Sequence, residues 1–206
     1  MDTNMITQAL REEIEAGSLP PGNVLKQEEL AARFGVSRQP IRHALERLHE
    51  SGLLEKRPDR SLAVTGLKRE DVRELCQIRI SLEVSALELC APNLSPSALR
   101  KARRINEDLF EEDDPDMLAE LDQEFHTILY SACGNQRLLS MIEGFRGEAK
   151  RAYALQPKGS QPRSAFYEEH QQILEALEAR DIATASKVLS THIGVTAGTL
   201  IPIDQS

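Results

Sequence analysis

One stretch limits the choice of fold more than any other: "GVSRQPIRHALERL", residues 35–48. Its apolar residues Ile41, Ala44, Leu45 and Leu48 recur at helical spacing and make a buried stripe. Arg38 and Arg42 lie one turn apart on the opposite face, with Gln39 and His43 beside them. Gly35 and Val36 make a tight turn before the helix, and Ser37 is placed to cap it. Pro40 falls at the third helical position, where a missing N–H costs no intrahelical bond. A tight turn that leads into a helix exposing arginines near its start suits a helix-turn-helix.

The flanking sequence extends that reading. Residues 4–16 carry Ile6, Ala9, Leu10 and Ile14 at a helical period, ended by Gly17 and "LPPGNVL". "QEELAARF" (27–34) predicts a second, short helix with Leu30, Ala31 and Phe34 inward. The third helix runs to about Glu50 and stops at Gly52, and "LLEKRPDRSLAVTGL" reads as two short strands around a Pro–Asp turn. Three helices and a small hairpin describe a winged helix-turn-helix. Arginine can bond guanine bidentately and glutamine can do the same with adenine, which makes Arg38, Arg42 and Gln39 candidate base readers, with Ser37 and His43 alongside. Lys56, Arg57 and Arg60 at the hairpin can grip phosphates or enter the minor groove.

Charge supports a local nucleic-acid contact only. The net charge of the 206 residues is −8, which argues against a general polyanion binder. Residues 1–66 hold nine Lys/Arg against ten Asp/Glu, a net of −1, and the remainder carries −7. Residues 38–60 hold six basic against four acidic side chains. Double-stranded DNA is therefore expected at that segment or nowhere.

From Arg69 onward the periodicity is helical, with helices expected near 69–90, 96–111, 116–132, 135–155, 163–179 and 182–198. Breaks fall at Pro92, Pro96, Pro115, Gly134–Asn135, residues 156–162 and Asp181. The acidic run "EDLFEEDD" reads as a solvated helix end. The expected fold is mainly α: a winged helix-turn-helix over 1–66 and an all-α bundle of about six helices over 67–206. The N-terminus lacks a signal-peptide apolar core, and no apolar run reaches bilayer-spanning length. Cys76, Cys90 and Cys133 are odd in number and lack CxxC spacing, so no disulfide framework is expected. A cytoplasmic protein without membrane contact follows as the expectation.

"LPPGNVLKQEELAARFGVSRQPIRHALERLHESGLLEKRPDRSLAV" resembles the DNA-binding domain of GntR-type bacterial transcription regulators, over about residues 5–66. The resemblance rests on PG, E-L-A, GVSR-x-P-[VI]-R-x-A-L-x-x-L and GL in order. It implies operator contacts from Arg38, Arg42, Gln39 and the hairpin tip. Two positions depart from the pattern: Glu28 stands where relatives often carry a basic residue, and the tip reads "PDRS" where they usually carry glycine.

A second constellation lies in the helical half. Asp122 and His126 are i, i+4 and share one helical face. His170 and His192 are each eleven residues from Asp181, the expected cap of the last helix, so an antiparallel helix pair brings them face to face at one level. A carboxylate and three imidazoles suit Zn, Ni, Mn or Fe(II), with Zn the expected ion. Taken singly, each histidine reads as a satisfied core or surface residue rather than a ligand, and it is the equal spacing about Asp181 that speaks for a site.

The helical half resembles the FCD ligand-binding domain found on many GntR-type regulators, over about 69–200. The segments that carry the resemblance are "DVRELCQIRISLEVSALELCA", "LDQEFHTILYSACGNQRLL" and "EEHQQILEALEARDIATA", together with His192. It implies that Asp122, His126, His170 and His192 hold a divalent ion inside the bundle and that a small carboxylic acid is received at or near it. Arg79 is a candidate partner for that acid, or alternatively a structural salt bridge to Glu83 at i+4. The expectation is a homodimeric, metabolite-responsive transcription regulator, acting as a repressor and not an enzyme. The alternatives are a hydrolase-like metalloenzyme using the Asp/His₃ set, and a metal-free regulator whose histidines are structural.

Overall fold

A computed structural model describes residues 2–66, 69–154 and 163–199. The expected break at 156–162 and the link at 67–68 lie outside the described residues. Among the described residues the chain divides into two compact units, the first of residues 2–66 with 150–154 and the second of residues 69–149 with 163–199.

In the first unit, Asp2 caps α1 (Thr3–Glu15) by accepting from the Met5 N–H, and Ile6, Leu10 and Ile14 line its buried side. Gly17 at φ 76° turns the chain after the last turn of that helix. α2 (Gln27–Phe34) ends at Gly35, whose φ of 64° is left-handed. That conformation lets the chain turn within three residues, Gly35–Ser37, into α3 (Arg38–Glu50). Ile41, Ala44, Leu45 and Leu48 of α3 are buried against Ile6, Leu10 and Ile14, with Leu25, Leu30, Leu53, Leu54 and Val64 closing the core. Ser37 occupies the cap position with extended backbone but makes no side-chain capping bond. Its hydroxyl therefore does not fix the start of α3 as the sequence suggested. The tight turn at Gly35 does.

β1 (Leu54–Lys56) and β2 (Leu62–Val64) pair antiparallel, with Leu54 opposite Val64 and Lys56 opposite Leu62. The "LPPGNVL" stretch joins them through a bridge from Val24 to Ala63. The Leu25 N–H donates to the Leu62 carbonyl at 2.9 Å, and the Val64 N–H to the Asn23 carbonyl at 2.9 Å. Asp59 holds the hairpin turn by accepting from the Ser61 N–H and hydroxyl, at 2.9 and 2.6 Å.

The second unit is helical: α4 (Arg69–Cys90), α5 (Pro96–Glu111), α6 (Pro115–Leu129), α7 (Gln136–Ala154) as far as residue 149, α8 (Arg163–Glu178) and α9 (Ile182–Thr199). Ser95 caps α5 and Pro96 occupies its first position. α6 stops at Leu129, three residues short of the expected 132. Asp181 caps α9 by accepting from the Thr184 N–H at 3.0 Å. α5 packs on α6 and α8, and α9 packs on α4 and α8. Leu87, Phe125, Leu129, Ile173, Leu174, Leu189 and Ile193 fill the interior between them. Among the described residues no helix is long and apolar enough to cross a membrane.

Candidate functional site

Helical period and helix pairing bring four separated residues to one place. Asp122 and His126 project from α6, His170 from α8 and His192 from α9. One ligand atom from each lies within 4.8 Å of all the others. His170 Nε2 and His192 Nε2 are 3.4 Å apart, so the pairing about Asp181 puts the two rings level. His126 Nε2 is 3.7 Å from Asp122 Oδ1.

What fixes each ring is a second polar residue on its other nitrogen. His170 Nδ1 bonds Asn106 Oδ1 at 2.9 Å, and His192 Nδ1 bonds Glu169 Oε2 at 2.7 Å. His126 Nδ1 lies 3.2 Å from the Tyr130 hydroxyl. That hydroxyl donates to Glu83 Oε2 at 2.8 Å and is left to accept from the ring. All three Nδ1 atoms are thereby engaged. The three Nε2 atoms turn toward one another, the arrangement that metal-binding imidazoles require. Burial holds His126 and His170 below the ordinary imidazole range, with Arg146 and the neighbouring imidazoles adding to it, so both offer neutral nitrogens. Ligands about 2.1 Å from an ion stand no more than about 4.2 Å apart, so the set needs to close by only roughly half an ångström at its widest. The donor set fits a divalent ion.

An arginine completes the site. Arg146 of α7 is buried and donates to Glu83 Oε2 at 2.9 Å, Asp122 Oδ2 at 2.6 Å and Gln123 Oε1 at 3.0 Å. Burial opposes its charge, but Glu83 and Asp122 outweigh burial and raise its pKa. Burial likewise works against the Glu83 carboxylate, and Arg146 and Arg79 overcome it to hold the group below its usual range. Arg79 makes the i, i+4 bond to Glu83 Oε1 at 2.7 Å, while its buried Nη1 has no hydrogen-bond partner. An unpaired buried guanidinium nitrogen is costly and marks a place where an acceptor fits.

Sequence reasoning passed over Arg146, Tyr130, Asn106 and Glu169. Three of them left a signal. Arg146 interrupts the apolar stripe Ile142–Ala149, Asn106 interrupts that of Leu99, Ala102 and Leu109, and Tyr130 continues the four-residue spacing of Asp122 and His126. Glu169 is half-buried, and no periodicity singles it out.

At the other end of the chain, Arg38, Gln39 and Arg42 are exposed at the start of α3, and His43 is half-buried. Arg38 donates to Glu28 of α2, and Arg42 Nε stands 3.6 Å from Glu46. Arg47 instead donates to Asn4 of α1, which makes it part of the scaffold. Arg57 and Arg60 are exposed on the hairpin, and Arg60 takes the left-handed φ of 68°.

Residues 2–64 match the family described as bacterial regulatory proteins, gntR family, and residues 74–195 match the FCD domain. The chain belongs to the GntR family of transcription regulators. It carries the FCD type of helical domain. Relatives of this GntR regulator include the HTH-type transcriptional repressor RspR of Escherichia coli, 28% identical and spanning 91% of this chain and 84% of that protein. The probable D-xylose utilization operon transcriptional repressor of Paenarthrobacter nicotinovorans is 31% identical, over 88% of this chain and 80% of its own length. Among solved structures, E. coli McbR/YncC matches with a TM-score of 0.79 and 25% identity, covering 96% of both chains. Family and relatives regulate transcription and are not enzymes, which removes the hydrolase reading of the Asp/His₃ set.

Proposed function

We propose that this GntR regulator represses transcription as a homodimer, with DNA read by residues 1–66 and a small carboxylic acid sensed at a metal-centred site within 67–206. The observation that carries the reading is the convergence of three imidazole Nε2 atoms and Asp122 beside two buried arginines, one with an unpartnered nitrogen. Asp122, His126, His170 and His192 would hold the ion, with Zn the first expectation and Ni, Mn or Fe(II) also suited. A bound ion supplies a Lewis-acidic centre for a carboxylate. The chain's own residues do the rest: Asn106, Glu169 and Tyr130 orient the rings, and Arg146 steadies Asp122. Arg79 Nη1 offers a donor to the acid. The metal-free alternative has no such use for three Nδ1-anchored rings facing one another.

Ser37, Arg38, Gln39, Arg42 and His43 would meet base edges and phosphates in the major groove, with Arg57 and Arg60 on the hairpin beside it. Exposed Ile78 and Leu89 of α4 lie eleven residues apart, three turns and so one side of the helix with Ser81 and Ser85 between them, two apolar points that a second copy would cover. A regulator of transcription works where the DNA is, in the cytoplasm. The acid would act by binding one arrangement of the dimer better than the other.

The test is a mobility shift on the DNA upstream of the gene. Arg38→Ala with Arg42→Ala should abolish the specific complex while leaving the fold intact by circular dichroism. Unaltered binding would sink the assignment of these two residues.

A further inference from the structure

Glu28 sits at the second position of α2, and its carboxylate takes Nη2 of Arg38, the first residue of α3. The bond spans the turn at Gly35, so its partners come from two different helices. Both side chains are largely exposed, 67% and 72%, and such a pair adds little to stability. Its effect falls on donor geometry. A guanidinium presents five N–H donors in a fixed fork. Nη2 shares one two-donor edge with Nε and another with Nη1. A carboxylate that takes one Nη2 hydrogen leaves the other edge whole. An arginine without such a hold sweeps many rotamers. One tied to the neighbouring helix points its remaining edge in fewer directions. Arg42 has no equivalent hold: its carboxylate neighbour, Glu46, is on its own helix, at 3.6 Å.

We propose that Glu28 is a positioning residue for DNA recognition, tying Arg38 down so that one two-donor edge faces guanine. The proposal rests on reading Arg38 as a base contact. The same carboxylate stands close to where phosphates would pass, so it also lowers sequence-independent affinity. The second effect weakens every duplex alike, so the gap between the right sequence and the wrong one comes from the first.

The experiment uses the full-length chain, a duplex selected from a randomised library and single-base-pair variants of it, with affinities read by fluorescence anisotropy at one fixed salt concentration. Arg38→Ala should cut the preference for one G·C pair by about 5- to 150-fold, the range of a bidentate arginine–guanine bond. Glu28→Ala should cut the same preference by about threefold or more, and tighten binding to an unrelated duplex. Glu28→Gln, whose amide oxygen still accepts from Nη2, should keep most of the preference while also tightening the unrelated duplex. Adding Glu28→Ala to Arg38→Ala should cost no further preference. A preference left unchanged or increased by Glu28→Ala overturns the proposal, since the carboxylate is then a bystander or a competitor of guanine. If Arg38→Ala itself leaves every preference intact, the underlying reading of Arg38 falls, and the proposal with it.

Discussion

At the scale of single residues, the helical interior is organised by polar groups that each hold another in place. Among the described residues, Glu169 meets the site through His192 Nδ1, at 2.7 Å. Glu169→Gln should therefore weaken metal affinity by about 10- to 100-fold, read by chelator competition, with little change in melting temperature. A pH dependence follows from His126 and His170. Burial holds both below the ordinary imidazole value, whereas in the unfolded chain they titrate near 6.5. Below about 6.5 the unfolded state takes up protons that the folded state does not. Stability of the chelator-stripped protein should be full above that pH and fall as pH drops beneath it. Urea midpoints at about pH 7.5 and pH 5.5 check this, and His170→Asn should shrink the difference. Helical period paired Asp122 with His126 and the equal spacing about Asp181 paired His170 with His192, but only the resemblance to the FCD domain put the two pairs together. Glu169 was not, because a half-buried acid beside a ligand looks like any surface glutamate.

At the scale of elements, start and stop signals decided most boundaries. Pro96 after Ser95, Asp181 and Gly35 fix helix ends by chemistry that does not depend on distant contacts. The Val24–Ala63 bridge was hidden because "LPPGNVL" carries turn residues and pairs only through its backbone. The wing shows sequence and conformation in tension. Arg60 holds a left-handed φ of 68° at a position that glycine would occupy without cost. Arg60→Gly should raise stability by a few tenths to about 1 kcal/mol, by thermal melting, and yet weaken DNA binding. A loss of both would mean that the side chain serves the fold, not the DNA.

At the scale of the whole molecule, the chain keeps most of its acidity apart from α3: residues 1–66 carry a net of −1 and the rest −7. The order of elements, three helices and a hairpin and then a helical unit, was legible because period and turn signals suffice for it. The buried network was not. Arg146 of α7 meets Glu83 of α4 and Asp122 of α6, and only packing brings those three helices to one point. That network ties the proposed metal site to α4, α6 and α7 at once.

The central claim is that acid binding at a metal-centred site changes the affinity for DNA. The measurement that tests it most directly is operator anisotropy with the metal-loaded chain, titrated with whichever short mono-, di- or tricarboxylate most raises its melting temperature. The account predicts a change in operator affinity of at least about fivefold, lost on chelation and in Asp122→Ala. An affinity indifferent to every acid tried, or a shift of the same size in chelator, would contradict it.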